Sequence, residues 1–145
     1  MMRRIGVLLV VVMAVVSFLC TAQAQMPQKG WKNVISLPNG DVILDMNGEW
    51  DVLIENYGSW KEFGSYTQLI RITQEGSSFK GIRMINDPWA IKGSLAIKGD
   101  LARGGFNVYT MSNIGSSNSD GQISEDGNKI VIDAAQKTKW TLTRK

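Results

Sequence analysis

Asn47-Gly48-Glu49-Trp50-Asp51-Val52 (NGEWDV) is the stretch from which the architecture can be read outward. Asn-Gly is a turn pair, since both residues tolerate backbone conformations that others avoid. Directly after it the chain alternates: Trp50, Val52 and Ile54 share one parity, and Glu49, Asp51 and Glu55 the other. Period-two alternation of this kind predicts a half-buried strand over residues 49–55.

The same texture continues to the end of the chain, in short runs separated by Gly, Asn, Asp and Ser. A strand over residues 66–74 turns Ile70 and Ile72 inward against Arg71 and Thr73. Residues 79–85 break alternation at Gly81, and a glycine bulge there would bring Phe79, Ile82 and Met84 onto one face. Residues 91–98 alternate cleanly, with Ile91, Gly93, Leu95 and Ile97 on one side. Four shorter runs follow, marked by Phe106 and Val108, by Ile123, by Ile130 and Ile132, and by Trp140 and Leu142. Eight short strands with one apolar face each predict an all-β fold, an eight-stranded antiparallel up-and-down barrel whose closure removes exposed edges. A flattened sandwich with a filled core is the alternative.

Upstream the chain is of another kind. Residues 1–24 place Arg3 and Arg4 before an apolar run over residues 5–20 and then Ala22-Gln23-Ala24. This order predicts a secretory signal peptide cleaved after Ala24, with no membrane span after cleavage and a periplasmic or secreted destination. A membrane anchor and a lipid-modified Cys20 are the rival readings. Residues 25–40, with two prolines and two glycines, read as an N-terminal arm, and residues 41–145 as the barrel domain.

Composition narrows function. Past residue 24 the chain keeps fourteen basic and thirteen acidic residues, a net charge of +1, dispersed rather than striped, so no nucleic-acid footprint is expected. It has no histidine anywhere and no cysteine after Cys20. The commonest general base, the commonest zinc ligand and any disulfide within the domain are thereby removed. The carboxylates Asp120, Glu125 and Asp126 sit in or beside turns without the spacing of a calcium loop. No metal and no cofactor is expected. The strand parities put no polar set inside, so an enzyme is not expected.

Connection lengths assign the two ends. In an up-and-down meander alternate loops share an end, and the tight turns EGSS (residues 75–78) and EDGN (residues 125–128) fall at one. The long connections NYGSWKEFGS, NDPWA and SNIGSSNSDG fall at the other, with the aromatics Tyr57, Trp60, Phe63 and Trp89 on them. Aromatic loops at a barrel mouth can wall a ligand site or fold inward as a plug. The candidate ligand-binding set is these four, above an inner wall of Ile54, Ile70, Met84, Leu95 and Val108.

Gly48-Glu49-Trp50 on the first barrel strand, with Arg144 on the last strand in the parity of Trp140 and Leu142, resembles the calycin superfamily of lipocalins and their relatives. The resemblance implies that Gly48, Trp50 and Arg144 close the base of the barrel and that the mouth lies at the opposite end. It implies a small secreted carrier that binds an apolar or amphipathic ligand without catalysis. Avidin-like barrels are similar in length and opening motif. So are periplasmic inhibitors of bacterial metalloproteases, which imply an alternative: a protein-binding barrel acting through residues 25–40 or through its mouth loops.

Overall fold

The computed structural model describes residues 30–101, 107–112 and 115–145. The expected signal peptide, residues 25–29 and Phe106 lie outside the described residues.

A closed antiparallel barrel forms from eight strands: β3 (Gly48–Asn56), β4 (Ser65–Glu75), β5 (Ser78–Arg83), β6 (Leu95–Asp100), β7 (Asn107–Ser112), β8 (Gly115–Ile123), β9 (Lys129–Ala134) and β10 (Thr138–Arg144). Each pairs with its neighbours in sequence, and β10 closes on β3 with Arg144 opposite Trp50 and Trp140 opposite Ile54. Inward residues are supplied at alternate positions, so the core is one apolar column holding Trp50, Val52, Ile54, Ile70, Ile72, Ile97, Val108, Ile130, Ile132 and Leu142. Among the described residues no helix is long and apolar enough to cross a membrane.

Two shorter strands, β1 (Val34–Ser36) and β2 (Val42–Leu44), precede the barrel and pair as a hairpin spanning the boundary between the expected arm and domain. Leu44 and Met46 are fully buried, and Trp31 packs against the same cluster while its indole N–H donates to the Ser124 carbonyl at 3.1 Å. Trp31 thus fastens the arm to the base of the barrel, while most of residues 32–40 stay exposed.

Three strands differ from the sequence reading. Strand β5 alternates without a break, with Phe79, Gly81 and Arg83 buried. The register shift falls on its partner, where Ala96 is the extra residue between Leu95, opposite Ile82, and Ile97, opposite Gly81. Gly81 makes room instead of bulging: a Cβ there would stand 2.8 Å from Ile97 Cγ1 and 3.3 Å from side-chain carbons of Ile70 and Ile72. Strand β6 begins only at Leu95, because Gly93 takes a positive φ of 86° and the chain turns back, with Gly93 N–H donating to the Arg83 carbonyl at 2.8 Å. Strand β8 takes in most of the expected SNIGSSNSDG loop; its Gly, Ser and Asn residues have weak strand propensity, and pairing with β7 from Ser112–Gly115 to Asn107–Asp120 overrides it.

Candidate functional site: the mouth of the barrel

At the mouth the connection between β3 and β4 forms a 3-10 helix (Gly58–Phe63), bounded by glycines at positive φ, Gly58 at 55° and Gly64 at 68°. It carries Trp60 and Phe63 over the barrel opening. Their rings meet edge to face at 6.3 Å, and Phe63 meets Trp89 of the β5–β6 connection in the same manner at 5.0 Å, both favoured aromatic geometries. Trp60 also lies against Gly115, where a Cβ would come within 2.9 Å of its ring, and under Lys137, whose ammonium is 5.4 Å from the ring centroid. Tyr57 stands to the side. Its hydroxyl donates to the Asp133 carboxylate, a bond that holds its pKa above the ordinary phenol value.

Beneath these rings the interior is polar, contrary to the expectation from strand parity. Gln68, Arg83, Thr110, Thr138 and Asn56 are all buried. Arg83 is the centre of the set. Its guanidinium donates to the Leu95 carbonyl at 2.6 Å, to Ser94 Oγ at 3.2 Å and to the Met111 carbonyl. Its Nε lies 3.4 Å from Asp87 Oδ2, in an ion pair whose two side chains are each 1% exposed. The β6–β7 ladder stops at Ile97–Thr110, so Arg83 ties the two strands together above the last rung. Burial lowers the Arg83 pKa, and the Asp87 charge opposes that shift. Tyr66 shares this environment, and burial first, then the Asp87 charge, pushes its pKa up to about 12.

Several of these buried groups have no hydrogen-bond partner within the protein: both amide atoms of Gln68, Thr138 Oγ1, Trp89 Nε1, Arg83 Nε, Asp87 Oδ2 and, further along β8, Ser119 Oγ. Unpaired buried polar atoms cost stability and call for water or a ligand. The space under Trp60, bordered by Asn56, Tyr66, Thr110, Thr138 and Trp140, amounts to about 10 Å³. That is room for one water molecule. A larger depression of about 500 Å³ lies near Lys80, Lys98, Asp100 and Tyr109, and it is open rather than enclosed. Among the described residues no three carboxylate, cysteine or histidine groups gather in a metal-binding cluster.

The residues expected as the ligand wall divide. Ile54, Ile70 and Val108 are buried in the interior. Met84 and Leu95 are half-buried on the outer face: Leu95 pairs with the outward Ile82, and Met84 follows the inward Arg83 and donates its N–H to the Leu69 carbonyl at 2.8 Å. The shift of parity has one cause, the bulge falling at Ala96 rather than at Gly81. The sequence reading missed Arg83 for that reason, although it shares the parity of Phe79 and Gly81. It also missed Gln68, which shares the parity of Ile70 and Ile72.

At the other end, Gly48 has a φ of 120° and starts β3. Trp50 is fully buried and donates its indole N–H to the Met46 carbonyl at 2.9 Å. The Arg144 guanidinium stacks 4.3 Å from the Trp50 ring centroid, while its terminal nitrogens donate to the Asn47 carbonyl at 3.1 Å and to the Asp45 carbonyl.

No family model, no curated protein and no solved structure matches the chain.

Proposed function

We propose that this protein is an exported, calycin-like barrel that binds a small amphipathic molecule at its mouth, without catalysing a reaction on it. The observation that carries the reading is the set of buried, unpartnered polar atoms beneath the aromatic rings, above all the amide of Gln68. A ligand with a polar head and an apolar body suits these groups: the head satisfies Thr138, which borders the space under Trp60, and reaches on to the buried Gln68, and the body lies along Trp140. The arrangement of Trp60, Phe63 and Trp89 is the closed one, leaving space for a water only. Entry requires the 3-10 helix to swing outward about Gly58 and Gly64, releasing the bonds that the Gly64 carbonyl accepts from Asn56.

Titration with a long-chain fatty acid, followed by tryptophan fluorescence, tests the reading. Trp60→Ala and Gln68→Leu are each expected to weaken binding about tenfold, an effect of about 1.4 kcal/mol. Arg144→Ala, at the far end, leaves affinity and ligand preference unchanged. Unaltered binding in both mouth variants would remove the mouth as the site.

The runner-up is a protein-binding barrel. Trp31 of the arm is packed on the base and residues 32–40 are largely exposed, so that reading keeps both the arm and the mouth loops as contact surfaces.

A further inference from the structure

The connection between β5 and β6, residues 84–94, displays apolar side chains from a stiff frame. Asp87 N–H donates to the Ala90 carbonyl at 3.0 Å, Lys92 N–H to Asn86 Oδ1 at 2.7 Å and Ser94 N–H to the Ile91 carbonyl at 3.2 Å. The connection's C-terminal end is fastened back to Arg83, through Gly93 N–H to the Arg83 carbonyl at 2.8 Å and from the Arg83 N–H to the Ser94 carbonyl at 3.0 Å. From this frame Ile91 projects 70% exposed and Ile85 42% exposed. A loop so well bonded internally does not expose two isoleucines through slackness; it holds them out.

Charge sets the direction in which they point. On the described mouth connections stand Lys61, Lys92 and Lys137, against Glu62 as the exposed carboxylate, since Asp87 is buried with Arg83. Glu55 and Asp133 stand one step back on the strands, the latter bonded to Tyr57. The described segments at the base are mixed in sign, with Asp41, Asp45, Glu125 and Asp126 beside Lys32 and Lys145, while Arg144 is engaged by Trp50 and two backbone carbonyls. On the mouth connections themselves lysine therefore outnumbers exposed carboxylate three to one.

We propose that the mouth rim docks on an anionic phospholipid surface, with Ile85 and Ile91 entering the interfacial layer and Lys61, Lys92 and Lys137 facing the headgroups. Short apolar insertion combined with lysines is the recognition chemistry of such a surface. Two exposed isoleucines on one short connection, beside lysines, suit a fluid partner that needs no shape matching. The proposal is independent of whether the interior holds a ligand, and its test reads membrane partition alone.

The test is co-sedimentation of the exported protein with vesicles of phosphatidylglycerol mixed with phosphatidylcholine, against vesicles of phosphatidylcholine alone. Binding to the anionic vesicles, weakened by salt, is expected. Ile85→Ser with Ile91→Ser should lower partition about tenfold, and Lys92→Glu at least about fivefold. Lys145→Glu at the base should leave it unchanged. All variants share the same N-terminus, so the residues before Gly30 contribute equally to each. Folding is checked by the near-ultraviolet spectrum of the Trp60–Phe63–Trp89 cluster, and the serine variants, being at exposed positions, should retain it. Equal partition of the wild-type chain and the rim variants would overturn the proposal. So would failure to bind either vesicle at low salt, which would leave the isoleucine knob to a protein partner.

Discussion

Each end of the barrel contains an arginine that donates hydrogen bonds to backbone carbonyls, and the two sites are finished differently. Arg144 at the base covers a tryptophan whose own N–H is bonded, beside an apolar cluster that includes Trp31, Leu44 and Met46. Its Nε is the one buried side-chain atom at that end without a hydrogen bond among the described residues. Arg83 at the mouth is bonded as fully to Leu95 and Met111, yet around it Gln68, Thr138 and Trp89 all keep side-chain atoms without a hydrogen bond. An arginine can therefore serve a closed structural seal or a strand clasp inside an unfinished polar chamber. What separates them is how the neighbouring polar atoms are satisfied.

Substitutions at the two arginines sharpen that contrast. Arg83→Met removes one member of a buried ion pair and the donors of three hydrogen bonds, so a loss of about 3–5 kcal/mol is expected in denaturant unfolding. Adding Asp87→Leu should recover most of it, because the stranded carboxylate is then gone. If the single variant lost less than about 1 kcal/mol, the clasp would be dispensable. Arg144→Ala should cost less, about 1–2 kcal/mol, since it gives up a cation–π contact and two carbonyl bonds at a partly hydrated position. A loss at Arg144 larger than at Arg83 would reverse the comparison.

Tyr66 offers a smaller, pH-dependent test confined to the mouth. Its folded pKa is about 12, raised by burial and then by Asp87, against about 10 in an unfolded chain. The folded state thus holds the phenol proton more tightly. This contribution is complete below about pH 10 and is lost as pH rises through about 12. In Tyr66→Phe the fall in stability across that window should be shallower, as measured by denaturant unfolding at a series of alkaline pH values. An unchanged slope would mean that other groups govern the alkaline transition.

The barrel itself is readable from the residues because its strands alternate. Trp50-Val52-Ile54 and Ile130-Ile132 announce their inward faces by period alone, and the tight turns mark one end. Strand β8 escapes such reading, since Gly115, Ser117, Ser119 and Gly121 point inward without being apolar. The mouth aromatics are visible in sequence as loop residues, but their mutual edge-to-face contacts depend on how the 3-10 helix folds over the opening. The polar chamber is hidden by a single register decision. Gly81 reads as a bulge, which turns Met84 inward; the extra residue is Ala96, and Arg83 goes inside instead. Where a bulge falls depends on side-chain volume across the barrel, here the crowding of Ile70, Ile72 and Ile97, and no local pattern encodes that.

The claim that the mouth carries unpaired polar groups for a ligand, at the expense of stability, is tested most directly by the unfolding free energy of Gln68→Leu in the absence of ligand. Leucine matches the amide in size and removes two unpartnered buried atoms, so a gain of about 1–2 kcal/mol is predicted. A loss of similar size would show that the amide is already satisfied in the ligand-free protein, and would contradict the account.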